Sequence, residues 1–262
     1  MILQSLTDAA RTFEYDYIYI DAILLTLWLL VVIKYKKWSA LKAGFLFGIM
    51  VYVIDAVFWW NITAGANYPS GTFIREYWIG GTQMPHPLGP YFFLKSGADF
   101  MMTLSYSLYA FTWLWIMFEN IEKRDKKEIL LFTTLFFGLW MTTPLLSLLL
   151  PIDNTIVHTV RHMDTQIIAW IANVIIGYSI LVIIYGTNLV KSKNLKILGY
   201  VFLIGCIESF FMEFPLFITG IRPTNIPFLI YEVFFLFNQG APYLYILWDK
   251  VIPKLKERFF SK

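Results

Sequence analysis

One cysteine and three histidines leave this 262-residue chain few handles for metal or redox chemistry. Cys206 alone cannot build a disulfide, an iron–sulfur cluster or a cysteine-based zinc site. Set inside an apolar run, it reads as a small packing residue. A membrane haem protein takes axial histidines from within its spans, whereas His86, His158 and His162 all fall between apolar runs, so haem is not expected. Retinal needs an intramembrane lysine for its Schiff base, and the last apolar run has none before Lys250. Charge is scarce as well. Charged residues make up 15% of the chain, against about 25% in an ordinary soluble domain. Hydrophobic residues reach 58%, which excludes disorder and points to a polytopic membrane protein.

A bilayer core about 30 Å thick takes about 20 apolar residues of helix. Seven runs meet that length, at about 17–33, 41–60, 91–118, 129–150, 165–190, 197–219 and 227–248. The expected fold is an all-α integral membrane protein, with one seven-helix domain over residues 1–248 and a basic tail at 249–262 along the inner leaflet. Residues 1–16 carry Asp8, Glu14 and Asp16 but only Arg11, the wrong sign for a signal peptide, so the first run is expected to be retained. The connection at about 61–90 is long and rich in turn formers such as Pro69, Gly71, Pro85 and Pro87, which predicts an ordered lid or re-entrant segment. Of the 21 lysines and arginines, only Arg11, Arg75, Lys95, Arg161 and Arg222 fall on the side of the N-terminus. The basic excess on the other side puts the N-terminus outside and the C-terminus in the cytoplasm of a cell-membrane protein. That excess is an anchor for anionic lipid and implies no nucleic-acid partner.

An ionisable residue at membrane depth is a functional candidate by default. Asp21, Asp55, Lys95, Asp99, Glu208, Glu213 and Glu232 all fall within the apolar runs. Lys95, Asp99, Thr103 and Tyr106 recur at helical spacing on one face of the third run, and an internal ion pair is the plain reading of the first two. Trp170 and Asn173 share a face of the fifth run, and Glu232 and Gln239 share one of the seventh. Glu208 and Glu213 stand five apart, about 140° around a helix, and therefore serve separate sites. Together these stripes predict an acidic, aromatic-lined pocket opening outward. Asp55 and Glu232 are its expected acid–base pair, with Asp99 as a supporting charge. Lys95, Trp59, Trp60, Trp170, Asn173, Glu208, Glu213, Gln239 and Arg161 are its expected substrate contacts.

His158 and His162 lie at i and i+4, so a helix there would let both ligate a metal with a nearby aspartate. No glutamate is spaced to act as a base beside them, and a metal is not favoured; with Arg161 they could instead meet an anionic headgroup. His86, between two prolines in the long loop, could close over the same mouth.

The chemistry of such a pocket suits acid–base catalysis on an amphipathic lipid or isoprenoid-like substrate. A proton-coupled transporter of a small solute would use the same acids, with Pro144, Pro215 and Pro242 interrupting its helices. A ligand-binding receptor or accessory subunit is the third reading. The expected partners are membrane lipids and a small amphipathic ligand; the sequence names no protein partner and no cofactor.

Overall fold

The computed structural model describes residues 8–163, 166–187, 194–223, 226–236 and 238–254. Lys191, Lys193 and the tail beyond residue 254, all counted above as basic anchors, lie outside the described residues. Among the described residues six helices are long and apolar enough to cross a membrane, which marks the chain as a membrane protein. They are α1 (Asp16–Lys34), α2 (Trp38–Asn61), α3 (Gly89–Ile121), α4 (Lys126–Ser147), α5 (Ile167–Gly186) and α6 (Leu195–Ile218). The seventh expected run differs. It is divided into α7 (Ile226–Tyr231), a wide-turned stretch Glu232–Leu236, α8 (Gly240–Ile246) and a further wide turn Leu247–Val251. Pro242 lacks a backbone donor and Gly240 favours a break, so one regular helix does not run through.

The helices begin and pack for identifiable reasons. Asp125 caps α4 by accepting from the backbone N–H groups of Lys127 and Glu128. Helices α2 and α3 approach closely because Gly44 lacks a side chain: a Cβ there would lie 2.1 Å from Thr112 Oγ1. Trp28, Tyr109, Phe136 and Trp140 make an aromatic centre between α1, α3 and α4. Two helices widen to i→i+5 turns where they carry buried acids. In α2 the wide turn Val53–Phe58 contains Asp55; in α3 the turn Phe100–Ser105 follows Asp99.

The fold is not all-α. Strands β1 (Asp8–Glu14), β2 (Arg75–Ile79), β3 (Thr82–Gln83) and β4 (Ile156–His162) form one antiparallel sheet in the order β1-β4-β2-β3. It caps the bundle end where α1 and α3 begin and α2 ends. The long connection is thus ordered, as expected, but as sheet rather than as a re-entrant segment. Residues alternate in and out along each strand. The buried positions are Ala9, Arg11 and Phe13 on β1, Arg75, Tyr77 and Ile79 on β2, and Val157 and Thr159 on β4, with Arg161 next in phase. Each of the three long strands therefore sends one arginine toward the helices. Arg75 and Arg161 stand directly opposite each other in the register.

Candidate functional site

Like charges opposed across a ladder repel, so the Arg75 and Arg161 pairing needs an anion between them. Asp55, 3% exposed, supplies it: Arg75 and Arg161 both donate to its Oδ2, the latter at 2.7 Å. Burial works against the charge of Arg75, but Asp55, Tyr77 and Asp99 outweigh it and hold this guanidinium above the usual arginine range. Arg75 also donates to the Tyr77 hydroxyl, which donates to Asp99 at 2.5 Å. Asp99 meets Lys95 at 2.5 Å, the i,i+4 pair expected from the sequence, and Lys95 donates as well to the Ala56 carbonyl.

A second cluster adjoins the first. Arg11 meets Glu213 at 2.8 Å, the Tyr106 hydroxyl donates to the same carboxylate, and Arg222 bridges Glu213 to Glu232. Backbone bonds from Thr12 to Ile221 and from Arg222 to Leu216 fix this bridge against β1. Guanidinium forks suit such buried carboxylates better than ammonium groups do.

Beneath the clusters lies a cavity of about 480 Å³, within the range of small-molecule sites. Arg11, Asp55 and Arg161 line the end nearest the sheet, and Thr103, Tyr106 and Ser107 form a polar strip along α3. Trp59 and Trp170 meet there with ring centroids 5.7 Å apart, and Arg161 lies over Trp59. Met50, Ile54, Phe111 and Leu114 make an apolar wall. Ile54 and Met50 in this wall remain 39% and 46% exposed, so the cavity is not sealed along α2. Asn173 and Gln239 are joined by a hydrogen bond of 3.3 Å at its rim.

Glu208 enters this cavity from α6. It is 4% exposed, and the Ser209 hydroxyl lies 3.3 Å from its Oε2. Among the described residues no cation reaches it, whereas Asp55, Asp99, Glu213 and Glu232 each have one.

No protein-family model matches the chain, nor does any curated protein or solved structure. Its own geometry therefore carries the reading of the site.

That geometry sorts the expected residues. Asp55, Trp59, Trp170, Asn173, Glu208, Gln239 and Arg161 come together around the cavity. Glu232 does not join Asp55 as an acid–base pair; it sits behind Arg222, and Asp99, Lys95 and Glu213 are likewise taken up in the ion clusters. Trp60, 3% exposed, is packed in the core against Tyr77 and His86. Glu213 and Glu208 do serve separate places, as their spacing predicts.

The histidines take structural positions. His158 and His162 lie on strand β4, not on a helix, and each turns to its own partner. His158 meets Thr12, while His162 bridges Asp8 and Glu76 at 2.8 and 3.2 Å. Those two carboxylates raise the His162 pKa against the opposing effect of burial. His86 is stacked between Trp60 and Phe73, and burial, then Lys95, lowers its pKa. Among the described residues no group of three potential ligands is placed to hold a metal ion.

The reading from sequence missed Arg11, Arg75 and Arg222. Their signal was one of type: four of the five basic residues on that side are arginines, while the other side is mostly lysine.

Proposed function

We propose that this protein is a multi-pass cell-membrane enzyme that admits an amphipathic lipid or isoprenoid-like molecule sideways into the cavity and transfers a proton at Glu208. The N-terminus and the sheet face outward in this reading, by the asymmetry of lysine and arginine between the two ends. The observation that carries it is the solitary carboxyl of Glu208 in the cavity wall. A carboxyl fixed by a guanidinium is committed to charge neutralisation, whereas one left to a hydroxyl neighbour in an apolar cavity is free to gain and lose a proton. Asp55 then holds the arginines that shape the mouth, a positioning role in place of the catalytic one its sequence context suggested.

Deuterium labelling tests this, whatever the substrate proves to be. The protein is purified in mild detergent and the amphiphile that stays bound is identified by native mass spectrometry; that molecule is then incubated with fresh protein in D2O. Wild type is expected to place deuterium on a carbon of the molecule, and Glu208→Gln to slow this by about 100-fold or more, the usual worth of a general acid or base. Absence of labelling by folded wild-type protein sinks the proposal.

One observation favours a carrier as the second reading. Another cavity, of about 470 Å³, lies one helical turn further along α2 and α3 toward the opposite end, lined by Lys42, Leu46, Phe47, Trp115, Glu119 and Trp248. Phe47 and Phe111, with ring centroids 5.5 Å apart, stand between the two. A carrier would pass its cargo across that aromatic pair, and proteoliposomes would then show acid-dependent flux that increases in Phe47→Ala.

A further inference from the structure

The acid–base reading leaves the polar end of the bound molecule unspecified, and the arginines around the cavity address it. The two ion clusters hold Arg11, Arg75, Arg161, Arg222 and Lys95 against Asp55, Asp99, Glu213 and Glu232; with Glu208, the cavity carboxyl outside both clusters, in its protonated form, one cation is in excess. The excess falls at the cavity. Arg75, Arg222 and Lys95 lie behind it, ion-paired within the clusters, whereas Arg11 and Arg161 line it.

Both lining guanidiniums have donors to spare. Among the described residues, Arg161 is bonded to Asp55 through Nη2 alone, and its buried Nε has no acceptor. Arg11 gives Nη2 to Glu213, while among the described residues its Nη1 meets only the Met102 sulfur at 3.7 Å. A thioether is a weak acceptor, so that donor is poorly satisfied. Leaving a charged donor unmet in a buried site is costly. Burial, reinforced by Arg75, Arg11 and Arg222 against the opposing pull of Asp55, also lowers the Arg161 pKa, as expected where positive charge is in surplus. The apolar wall of Met50, Ile54, Phe111 and Leu114, partly exposed at Met50 and Ile54, suits a hydrocarbon chain running from this polar end.

We propose that the molecule taken into the cavity is an anionic amphiphile, whose phosphate or carboxylate head is held by Arg11 and Arg161 beneath Trp59 while its chain lies along α2 and α3. This rests on the lipid-binding part of the function proposed above and adds the class of the head. An oxyanion accepts two parallel N–H bonds from a guanidinium and balances the surplus cation, which a neutral head cannot do.

The test is equilibrium binding of radiolabelled hexadecyl phosphate to the full chain in uncharged detergent, with hexadecanol and inorganic phosphate as competitors. Saturable binding is expected, with hexadecanol competing at least about 10-fold less well, the smaller figure for one charge-assisted hydrogen bond. Millimolar inorganic phosphate should leave the label bound. Arg161→Gln should weaken binding by about 10- to 100-fold, and Arg161→Lys, which keeps the charge, by less.

Equal competition by hexadecanol overturns the anionic head, as does an Arg161→Gln affinity within about twofold of wild type. Full displacement by inorganic phosphate would overturn the lipid and identify a free anion as the ligand. The comparison of hexadecyl phosphate with hexadecanol needs no variant, so it stands even if Arg161→Gln fails to fold. The two proposals also fail separately: saturable binding without deuterium labelling removes the enzyme and keeps the head site, and labelling with equal hexadecanol competition does the reverse.

Discussion

Arg75→Met removes the guanidinium at the centre of the larger ion cluster while keeping a side chain of similar length. Arg75 is 1% exposed; its loss takes one of two cations from Asp55 and releases the Tyr77 hydroxyl from its donors. Removing one partner of a buried pair costs about 3–5 kcal/mol, because the charge left behind stays out of water. For a chain of this size each kcal/mol lowers Tm by about 2–4 °C. The expected fall is therefore about 6–20 °C, read by tryptophan fluorescence or circular dichroism of detergent-solubilised protein.

Asp55→Asn should be at least as damaging, since it leaves Arg75 and Arg161 opposed across the strand register without an anion. The double variant should lose less than the sum of the two, as groups in direct contact do. A Tm for Arg75→Met within about 2 °C of wild type would refute the reasoning, for it would mean that Asp55 reaches water or another cation when Arg75 is gone.

Other outcomes follow from the same structure. Gly44→Val drives a side chain into Thr112 and should reduce folded yield severely, whereas Gly138→Ala, inside α4 with nothing within 4 Å of the added Cβ, should leave yield unchanged and Tm equal or slightly higher. Asp125→Ala removes the cap of α4 and should cost about 1 kcal/mol in Tm-derived stability. His162 has its pKa raised on folding, so its tie to Asp8 and Glu76 is complete below the unfolded value of about 6.5 and fades as pH rises through the folded value. Wild-type Tm should accordingly fall more than that of His162→Gln in a paired titration from about pH 6, just below the ordinary histidine value, to about pH 8, well above it.

Six of the seven expected membrane helices were legible as long apolar runs, the run at 227–248 being broken instead, and the pairing of Lys95 with Asp99 was legible because its spacing is local. The sheet was hidden by its own chemistry. An ordinary strand over a core turns apolar residues inward, yet the inward faces here read Ala9-Arg11-Phe13, Arg75-Tyr77-Ile79 and Val157-Thr159-Arg161. Each is interrupted by a charge whose justification is a carboxylate elsewhere in the chain. The same non-local pairing explains why Glu232 read as catalytic: its sequence neighbours contain no cation, and Arg222 reaches it only through the turn after α6. Glu208 was legible as a polar residue in a helix, but its place as a cavity carboxyl that no cation among the described residues reaches depends on where the arginines of the sheet end.

The sheet also sets an order of assembly. Asp55 is synthesised 20 residues before Arg75 and 106 before Arg161, and Arg11 precedes Glu213 by 202. Helices α2 and α3 thus enter the bilayer before Arg161, one of the two cations that neutralise Asp55, has been made, and β1 waits at the surface for β4 to emerge. An early stop in synthesis, or slow insertion of α5 and α6, would strand carboxylates in lipid with no countercharge. For this chain, quality control at the insertion machinery has a definite cue: a bundle whose roof has not yet closed.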